Sequence, residues 1–211
     1  MDLFENKDWN ETIVPLLEKY KGKKHPLDYQ NLYQLLVMVV LSAQDSDANI
    51  NKIAPSLFKK FPNIETLSKS NIQELIPYVN KIKHFETKSD WLIEISQILK
   101  TNDNIPLNMK SLTSLKGIGR KSANVILREF NINPEGIIVD LHVLRVAPRI
   151  GLTNFTDANK IEKQLMTLFE KKIWGDIGMA ISFLGREICR PTHPKCNECP
   201  ISMNCNYYNN L

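Results

Sequence analysis

Apolar residues recur at helical spacing along most of this chain. The spacing of Ile13, Leu16 and Leu17 predicts a helix over residues 9–20, and residues 31–41 are apolar on nearly every side, as in a central buried helix. Further helical patterns cover 50–61, 91–99, 143–150, 156–169 and 174–188. Strand signals are confined to the short apolar stretch 136–139, which is too short and solitary to build a sheet. The sequence therefore predicts an all-α fold.

Two glycines, Gly117 and Gly119, separate a short apolar helical pattern from a longer one. Glycine permits the positive φ that a tight turn needs, and its missing side chain lets another backbone come close. The amides of this turn, at the start of a helix that begins near Arg120, would attract an anion such as a DNA phosphate. A packing corner between two helices, with no ligand, explains the same pattern.

Lys121 and Asp140 are the two candidate catalytic residues. A lysine in the first turn of a helix lies at the unfavourable end of the helix dipole, and with partial desolvation this position is expected to lower its pKa and make the amine a nucleophile. Asp140 closes the apolar stretch 136–139, where a carboxylate is costly unless it has a partner or a role. Taken singly, the two are better explained as a solvated lysine and as an aspartate that caps the next helix.

All four cysteines of the chain lie near its C-terminus, at Cys189, Cys196, Cys199 and Cys205. The chain shows no secretory signal, and because thiols of cytosolic proteins stay reduced, a four-cysteine cluster favours a metal site over disulfides. The spacing alone is compatible with a zinc ion and with an iron–sulfur cluster, since both use four thiolates.

Charge and hydropathy narrow the class of protein only modestly. The formal net charge is +4 at pH 7 and the pI about 8.8, which suits a polyanionic partner without establishing one. The longest apolar run has seven residues, far below a membrane span, and the N-terminus lacks a signal-peptide pattern. We therefore expect a cytoplasmic protein, nucleoid-associated if bacterial.

Together these motifs resemble the endonuclease III family of helix-hairpin-helix DNA glycosylases. The resemblance runs from residues 41–44 through the hairpin 117–121 and Asp140 to Cys205. It implies two helical domains with a DNA-binding cleft between them. The six-helix domain, over 22–133, would carry the helix-hairpin-helix, and a discontinuous domain of 1–21 and 134–211 would carry Asp140 and the cysteine cluster.

The resemblance implies a bifunctional DNA glycosylase and abasic-site lyase of base excision repair. Lys121 would form a Schiff base with the sugar of the damaged nucleotide, and Asp140 would stabilise the cationic sugar. The four cysteines would hold a 4Fe–4S cluster. The expected partner is double-stranded DNA that contains an abasic site or a damaged base, by analogy an oxidised pyrimidine, and the protein would act as a monomer.

The resemblance also assigns DNA contacts. Gln44 and His84, with Phe85 beside it, would fill the gap left by a flipped-out nucleotide, because a wedge offsets the lost stacking. The cysteine loop is expected to be held rigid by its metal and to present cations to phosphates. The contacts expected from the hairpin and from this loop are Gly117, Gly119, Arg120, Arg190, His193 and Lys195.

Three positions depart from the family pattern. Lys116 replaces a proline that is usual before the first hairpin glycine, Leu141 replaces the usual threonine after the aspartate, and His84 replaces an aliphatic residue. Leu141 and His84 would lie near the substrate, so the identity of the damaged base stays open. Two other functions remain as alternatives: a monofunctional mismatch or damage glycosylase, which usually lacks the lysine, and a DNA-binding protein without catalytic activity.

Overall fold

The computed structural model describes residues 7–211, and helices are the only regular secondary structure in that range. The predicted all-α fold is confirmed. The α helices are α1 (Trp9–Thr12), α2 (Val14–Lys19), α3 (Leu32–Leu41), α4 (Asp47–Lys60), α5 (Ile64–Ser68), α6 (Ile72–Val79), α7 (Phe85–Leu99), α8 (Met109–Thr113), α9 (Arg120–Glu129), α10 (Leu141–Ile150), α11 (Ala158–Leu168), α12 (Trp174–Glu187) and α13 (Asn206–Asn209). Short 3₁₀ turns cover Asn102–Asn104, Lys171–Ile173, Cys196–Glu198 and Ser202–Asn204.

Many of these helices begin where a short polar side chain can cap them. A side-chain oxygen that accepts from a backbone N–H two or three residues on satisfies a donor that the first turn leaves unpaired. The residues that do so are Asp8, Asn31, Ser46, Asn63, Asn71, Asn108, Asp140 and Asp157, at the starts of α1, α3, α4, α5, α6, α8, α10 and α11. Helix α9 differs, because its N-cap is Gly119, which has no side chain that could accept from the first turn.

The chain forms two compact units. One unit joins the N-terminal segment up to Lys23 to residues Asn133–Leu211, and the other is Lys24–Ile132, which contains α3 to α9. Within the second unit α3 is the central helix, since every residue from Leu35 to Leu41 is buried. The sequence pattern of residues 31–41 predicted this burial.

The first predicted helix is interrupted. The pattern over residues 9–20 predicted one segment, whereas the structure divides it at Ile13 into α1 and α2. Pro15 explains the division, because it has no N–H to donate and is tolerated only in the first turn of a helix. In the structure it occupies the first turn of α2.

In the first unit, α12 packs closely against the segment that leads to Asp140 and against α10. A Cβ added to Gly178 would lie 2.5 Å from the Ile138 carbonyl oxygen, and one added to Gly185 would lie 2.8 Å from the Cβ of His142. Residues 137–139 are buried but form no strand, which agrees with the expectation of a short extended stretch that builds no sheet. The two glycines therefore let α12 approach the chain on both sides of Asp140.

Candidate active site and DNA-binding surface

The glycine turn joins α8 to α9 as a helical hairpin. Gly117 has a φ of +76°, and a Cβ at this position would lie 2.4 Å from the Cε3 atom of Trp91. Gly117 is thus required by the protein's own packing, both for its backbone conformation and for the approach of the indole ring. The sequence analysis expected the approach of another backbone, whereas the neighbour at Gly117 is the indole side chain of Trp91 in the same unit.

Gly119, unlike Gly117, has an ordinary backbone conformation and open space beside it. Its φ is −90°, which any residue adopts, and no atom lies within 4 Å of where its Cβ would be. The first turn of α9 has no side-chain cap and begins with Arg120 and Lys121, both exposed. Uncapped amides at a helix start attract anions, so this end of the hairpin is the part that is open to a phosphate.

Lys121, the second residue of α9, is exposed and has no hydrogen-bond or ion-pair partner within residues 7–211. The sequence analysis offered two interpretations of its amine, a solvated surface lysine and a partly desolvated nucleophile. The structure agrees with the first, because the side chain is exposed in the first turn of α9. Desolvation of the amine therefore requires a bound ligand or a change in the surrounding chain.

Asp140 is the N-cap of α10, and its carboxylate is held at both oxygens. Oδ1 accepts hydrogen bonds from the backbone N–H groups of His142 and Val143, each 2.9 Å long. Oδ2 accepts a 2.6 Å hydrogen bond from Ser182 Oγ and lies 3.5 Å from Nη2 of Arg186. The capping role that the sequence offered as the simpler explanation is real, and it also fixes the direction of the charged group.

Ser182 and Arg186 are residues that the sequence analysis missed. Both lie on α12, and Arg186 Nε also donates to Ser182 Oγ at 3.3 Å, so the arginine supports the serine as well as the carboxylate. Ser182 is fully buried. A signal was present in the sequence, because Gly178, Ser182 and Gly185 recur four and three residues apart and so place small side chains on one face of a helix.

Gln44 and His84, the residues assigned to the DNA gap, share an uncommon backbone conformation. Gln44 lies in the turn after α3 with a φ of +58°, and His84 caps α7 with a φ of +56°. A left-handed conformation costs a non-glycine residue roughly 1–2 kcal/mol and persists only where the surroundings enforce it. Both residues are exposed, whereas Phe85 is half-buried as the first residue of α7.

The structure locates the other two departures from the family pattern. Lys116 is exposed and forms an ion pair of 2.5 Å with Glu94, so its side chain is attached to α7 beside the hairpin. Leu141 follows Asp140 directly and is 81% exposed, which is exceptional for a leucine. A solvated apolar side chain next to the fixed carboxylate is available to contact a ligand.

The four cysteines are unpaired and line one cavity. Cys189 and Cys205 are buried, Cys196 and Cys199 are half-buried, and the cavity wall also contains apolar residues such as Ile150, Leu184 and Ile188. Burial raises the pKa of the Cys199 thiol to about 11, and the neighbouring thiols add to this shift. Within residues 7–211 no group of three or more His, Cys, Asp or Glu side chains has metal-coordinating geometry, so the four thiols share this cavity without being arranged as ligands.

The loop between the first two cysteines is anchored from α10. Arg149 donates from Nη1 to the Arg190 carbonyl at 2.7 Å and from Nη2 to the Pro191 carbonyl at 3.0 Å. His193 has a φ of +50°, and Arg190, His193 and Lys195 are all exposed. Lys195 forms an ion pair of 3.3 Å with Glu198, so part of its charge is already compensated.

Comparison with known proteins places these features in a family. Residues 37–171 match the HhH-GPD superfamily of base excision DNA repair proteins. The chain is 35% identical over 202 residues to endonuclease III of Synechocystis sp., an alignment that covers 92% of this chain and 90% of that protein. The chain belongs to the endonuclease III family.

Solved structures of endonuclease III agree with this membership. The chain matches a non-covalent endonuclease III–DNA complex with a TM-score of 0.84 and 29% identity, over 95% of this chain and 94% of the other. A trapped covalent endonuclease III–DNA intermediate gives the same TM-score and identity, with 95% of each chain covered. No helix in residues 7–211 is long and apolar enough to span a membrane.

Proposed function

We propose that this endonuclease III family member is a bifunctional DNA glycosylase and abasic-site lyase, with Lys121 as nucleophile and Asp140 as the electrostatic catalyst. The observation that carries the proposal is the Asp140 carboxylate, which two backbone amides, the Ser182 hydroxyl and the Arg186 guanidinium hold in one orientation. The trapped covalent DNA intermediate of a similar protein supports a mechanism that passes through a covalent enzyme–DNA bond, for which we propose the Lys121 amine.

The chemistry follows from these two groups. The Lys121 amine attacks C1′ of the flipped nucleotide, the glycosidic bond breaks, and the damaged base leaves with the bonding electrons. The amine then loses a proton and the sugar ring opens to an iminium. The iminium acidifies the C2′ hydrogen, so that removal of this proton breaks the C3′–O bond and nicks the strand. Water finally hydrolyses the Schiff base and regenerates the lysine.

Asp140 acts on the step in which the glycosidic bond breaks. The sugar becomes cationic in that transition state, and a fixed carboxylate stabilises it without the cost of reorienting at the moment of reaction. A carboxylate that rotates freely in water would first have to give up its hydration. The bonds from Ser182 and from the backbone of α10 remove that cost in advance.

DNA is held, on this proposal, through phosphates at the uncapped start of α9 and at the cysteine loop. Arg190 and His193 are exposed cations or potential cations on a loop fixed by Arg149, and Lys195 contributes less because Glu198 competes for it. Gln44 and His84 enter the gap in the duplex.

Because the proposed contacts are to phosphates, the affinity for DNA should fall as salt rises, and Arg190→Ala should reduce the slope of log K against log salt by about 1. An unchanged slope would show that Arg190 does not contact a DNA phosphate.

We propose that Cys189, Cys196, Cys199 and Cys205 hold a 4Fe–4S cluster. The donor set fits, because such clusters take four cysteine thiolates and these four face one cavity with an apolar wall. When bound, the cluster would serve as a structural cross-link that fixes the loop from Arg190 to Lys195. Anaerobically purified protein should contain about four irons per chain, and stoichiometric zinc without iron would refute the assignment.

The remaining proposals concern the working state of the protein. We propose a monomer that acts on chromosomal DNA in the cytoplasm, because each chain carries both candidate catalytic residues. Light scattering on the protein bound to a short duplex should give one 24.3 kDa chain per DNA. Two chains per duplex at low concentration would contradict the monomer.

A panel of lesion duplexes tests the function as a whole. Wild-type protein should release at least one damaged base and nick an abasic duplex, and borohydride should trap a covalent adduct during turnover. Base release without nicking or adduct would identify a monofunctional glycosylase. Binding without either reaction would identify a DNA-binding protein.

A further inference from the structure

A polar network in the second unit connects the turn that carries Gln44 to the loop that carries His84. Asp45 Oδ2 accepts a 2.8 Å hydrogen bond from the backbone N–H of Lys83, the residue before His84. Asp45 Oδ1 accepts from the Ser46 backbone N–H at 2.8 Å and from Asn49 Nδ2 at 3.1 Å. The residue after Gln44 thus bonds directly to the residue before His84.

Two further contacts reinforce this connection. Asn49 Nδ2 also donates to the Lys81 carbonyl at 3.2 Å, so the start of α4 holds the loop before α7 at a second point. Lys88, on α7, is 1% exposed, and its ammonium donates to the Leu41 carbonyl at 2.8 Å, at the last residue of α3. A cation at a helix C-terminus is favourable, since the carbonyls there lack partners.

The charges of Asp45 and Lys88 support each other. Burial lowers the pKa of the Lys88 amine, and the nearby negative charge of Asp45 opposes that shift. For Asp45, burial acts to raise the pKa, but the hydrogen bonds from Lys83, Asn49 and Ser46 and the charge of Lys88 outweigh it, so the pKa is lowered. The lowered pKa keeps Asp45 a carboxylate at neutral pH, so the hydrogen bonds that it accepts are charge-assisted.

We propose that Asp45 and Lys88 are positioning residues that hold Gln44 and His84 as one preformed wedge. The proposal rests on the proposed function, in which these two residues enter the duplex gap. Both have positive φ, and without glycine such conformations persist only when neighbouring groups enforce them. A wedge ordered before binding spares the ordering cost that mobile loops would incur during insertion.

The test compares Asp45→Asn with a matched control, Asp90→Asn. Asp90 is an exposed carboxylate on α7, so its substitution removes the same charge from the same unit without touching the network. The first probe is a duplex with 2-aminopurine opposite a tetrahydrofuran abasic analogue, because the fluorescence of this base reports what fills the gap next to it. At saturating protein, wild type and Asp90→Asn should give the same fluorescence change, and Asp45→Asn a smaller one.

Kinetics supply the second readout. Release of 5-hydroxyuracil from a fully paired duplex should be about tenfold slower for Asp45→Asn, as expected when a charge-assisted hydrogen bond is lost. Release from an unpaired bubble, where no wedge is needed, should match wild type. Asn49→Ala, which breaks the bridge to Lys81 and leaves every charge in place, should show the same selective loss to a smaller degree.

The outcomes separate two failures. The first concerns the positioning role alone, when wild type is active. That role is wrong if Asp45→Asn and Asp90→Asn process the paired lesion alike, or if Asp45→Asn loses activity on the paired duplex and on the bubble equally. The proposed function stands in both cases. If wild type releases no base from any duplex and forms no borohydride adduct, the proposed function fails and the wedge fails with it.

Discussion

The two candidate catalytic groups are held in opposite ways. The side chain of Asp140 is 13% exposed and receives hydrogen bonds from two backbone amides and from Ser182, with Arg186 beside it. That of Lys121 is exposed and has no partner in residues 7–211. A group that acts through its field gains from being fixed in advance, whereas a nucleophile has to be deprotonated and has to travel to the carbon that it attacks. The contrast therefore predicts which substitutions act on chemistry alone.

The largest effect is expected for Lys121→Gln. Because the exposed side chain makes no hydrogen bond or ion pair within residues 7–211, its loss should leave the melting temperature and the DNA affinity nearly unchanged while the borohydride adduct disappears. Lys110→Gln, which removes an exposed lysine from α8, is the control for charge. An adduct that persists in Lys121→Gln would mean that another amine is the nucleophile.

The second-largest effect is expected for Asp140→Asn. Base release should fall roughly 100-fold or more, the usual cost of losing a preorganised electrostatic group. Asparagine caps helices as well as aspartate does, so the fold should survive. Asp157→Asn, at the cap of α11, measures what the same change costs in stability alone. Nicking of an abasic duplex should suffer less than base release, since no glycosidic bond remains. Equal losses in both reactions would show that Asp140 does not act on the bond-breaking step.

Ser182→Ala tests whether the fixed orientation matters, since it removes the 2.6 Å bond to Oδ2 and leaves the charge of Asp140 in place. We expect base release to fall at least about tenfold, because a hydrogen bond to a charged group is worth about 1.5–3 kcal/mol. Ser96→Ala is the control, because Ser96 is an equally buried serine whose hydroxyl donates only to its own helix, at 2.7 Å to the Ile93 carbonyl. Similar melting temperatures with a tenfold difference in base release would establish the orienting role.

The contact between Ser182 and Asp140 could not be predicted from the sequence, although other features of the site could. The apolar spacing predicted the helices, and the position of Asp140 after an apolar stretch predicted a cap, because both depend on neighbours along the chain. The partner of Oδ2 lies 42 residues later and depends on how α12 packs, which the small residues Gly178 and Gly185 permit but do not specify. The sequence likewise offered both a solvated and a partly desolvated Lys121 and could not decide between them, since desolvation is a property of tertiary surroundings.

The positive φ values of Gln44 and His84 could not be predicted from the sequence either, but for a different reason. Neither residue is a glycine, and no local pattern marks a left-handed glutamine or histidine. On our proposal Asp45 enforces the conformation, and its bond to Lys83 joins positions 38 residues apart along the chain. By contrast, Gly117 could be predicted, because only glycine accepts its φ without cost.

The smallest effect is expected for Leu141→Thr, which alters the surroundings of the fixed carboxylate and not the carboxylate itself. Leu141 is 81% exposed, so its replacement should change the free energy of unfolding by less than about 0.5 kcal/mol. If the side chain contacts the flipped nucleotide, the ratio of base-release rates for two different lesions should change by up to about tenfold, the effect of gaining or losing one small group in a binding site. Leu211→Thr is the matched control, being the same substitution at a leucine that is 79% exposed. If Leu141→Thr and Leu211→Thr give the same lesion ratios, the leucine beside Asp140 is an ordinary surface residue and selectivity must be sought at His84.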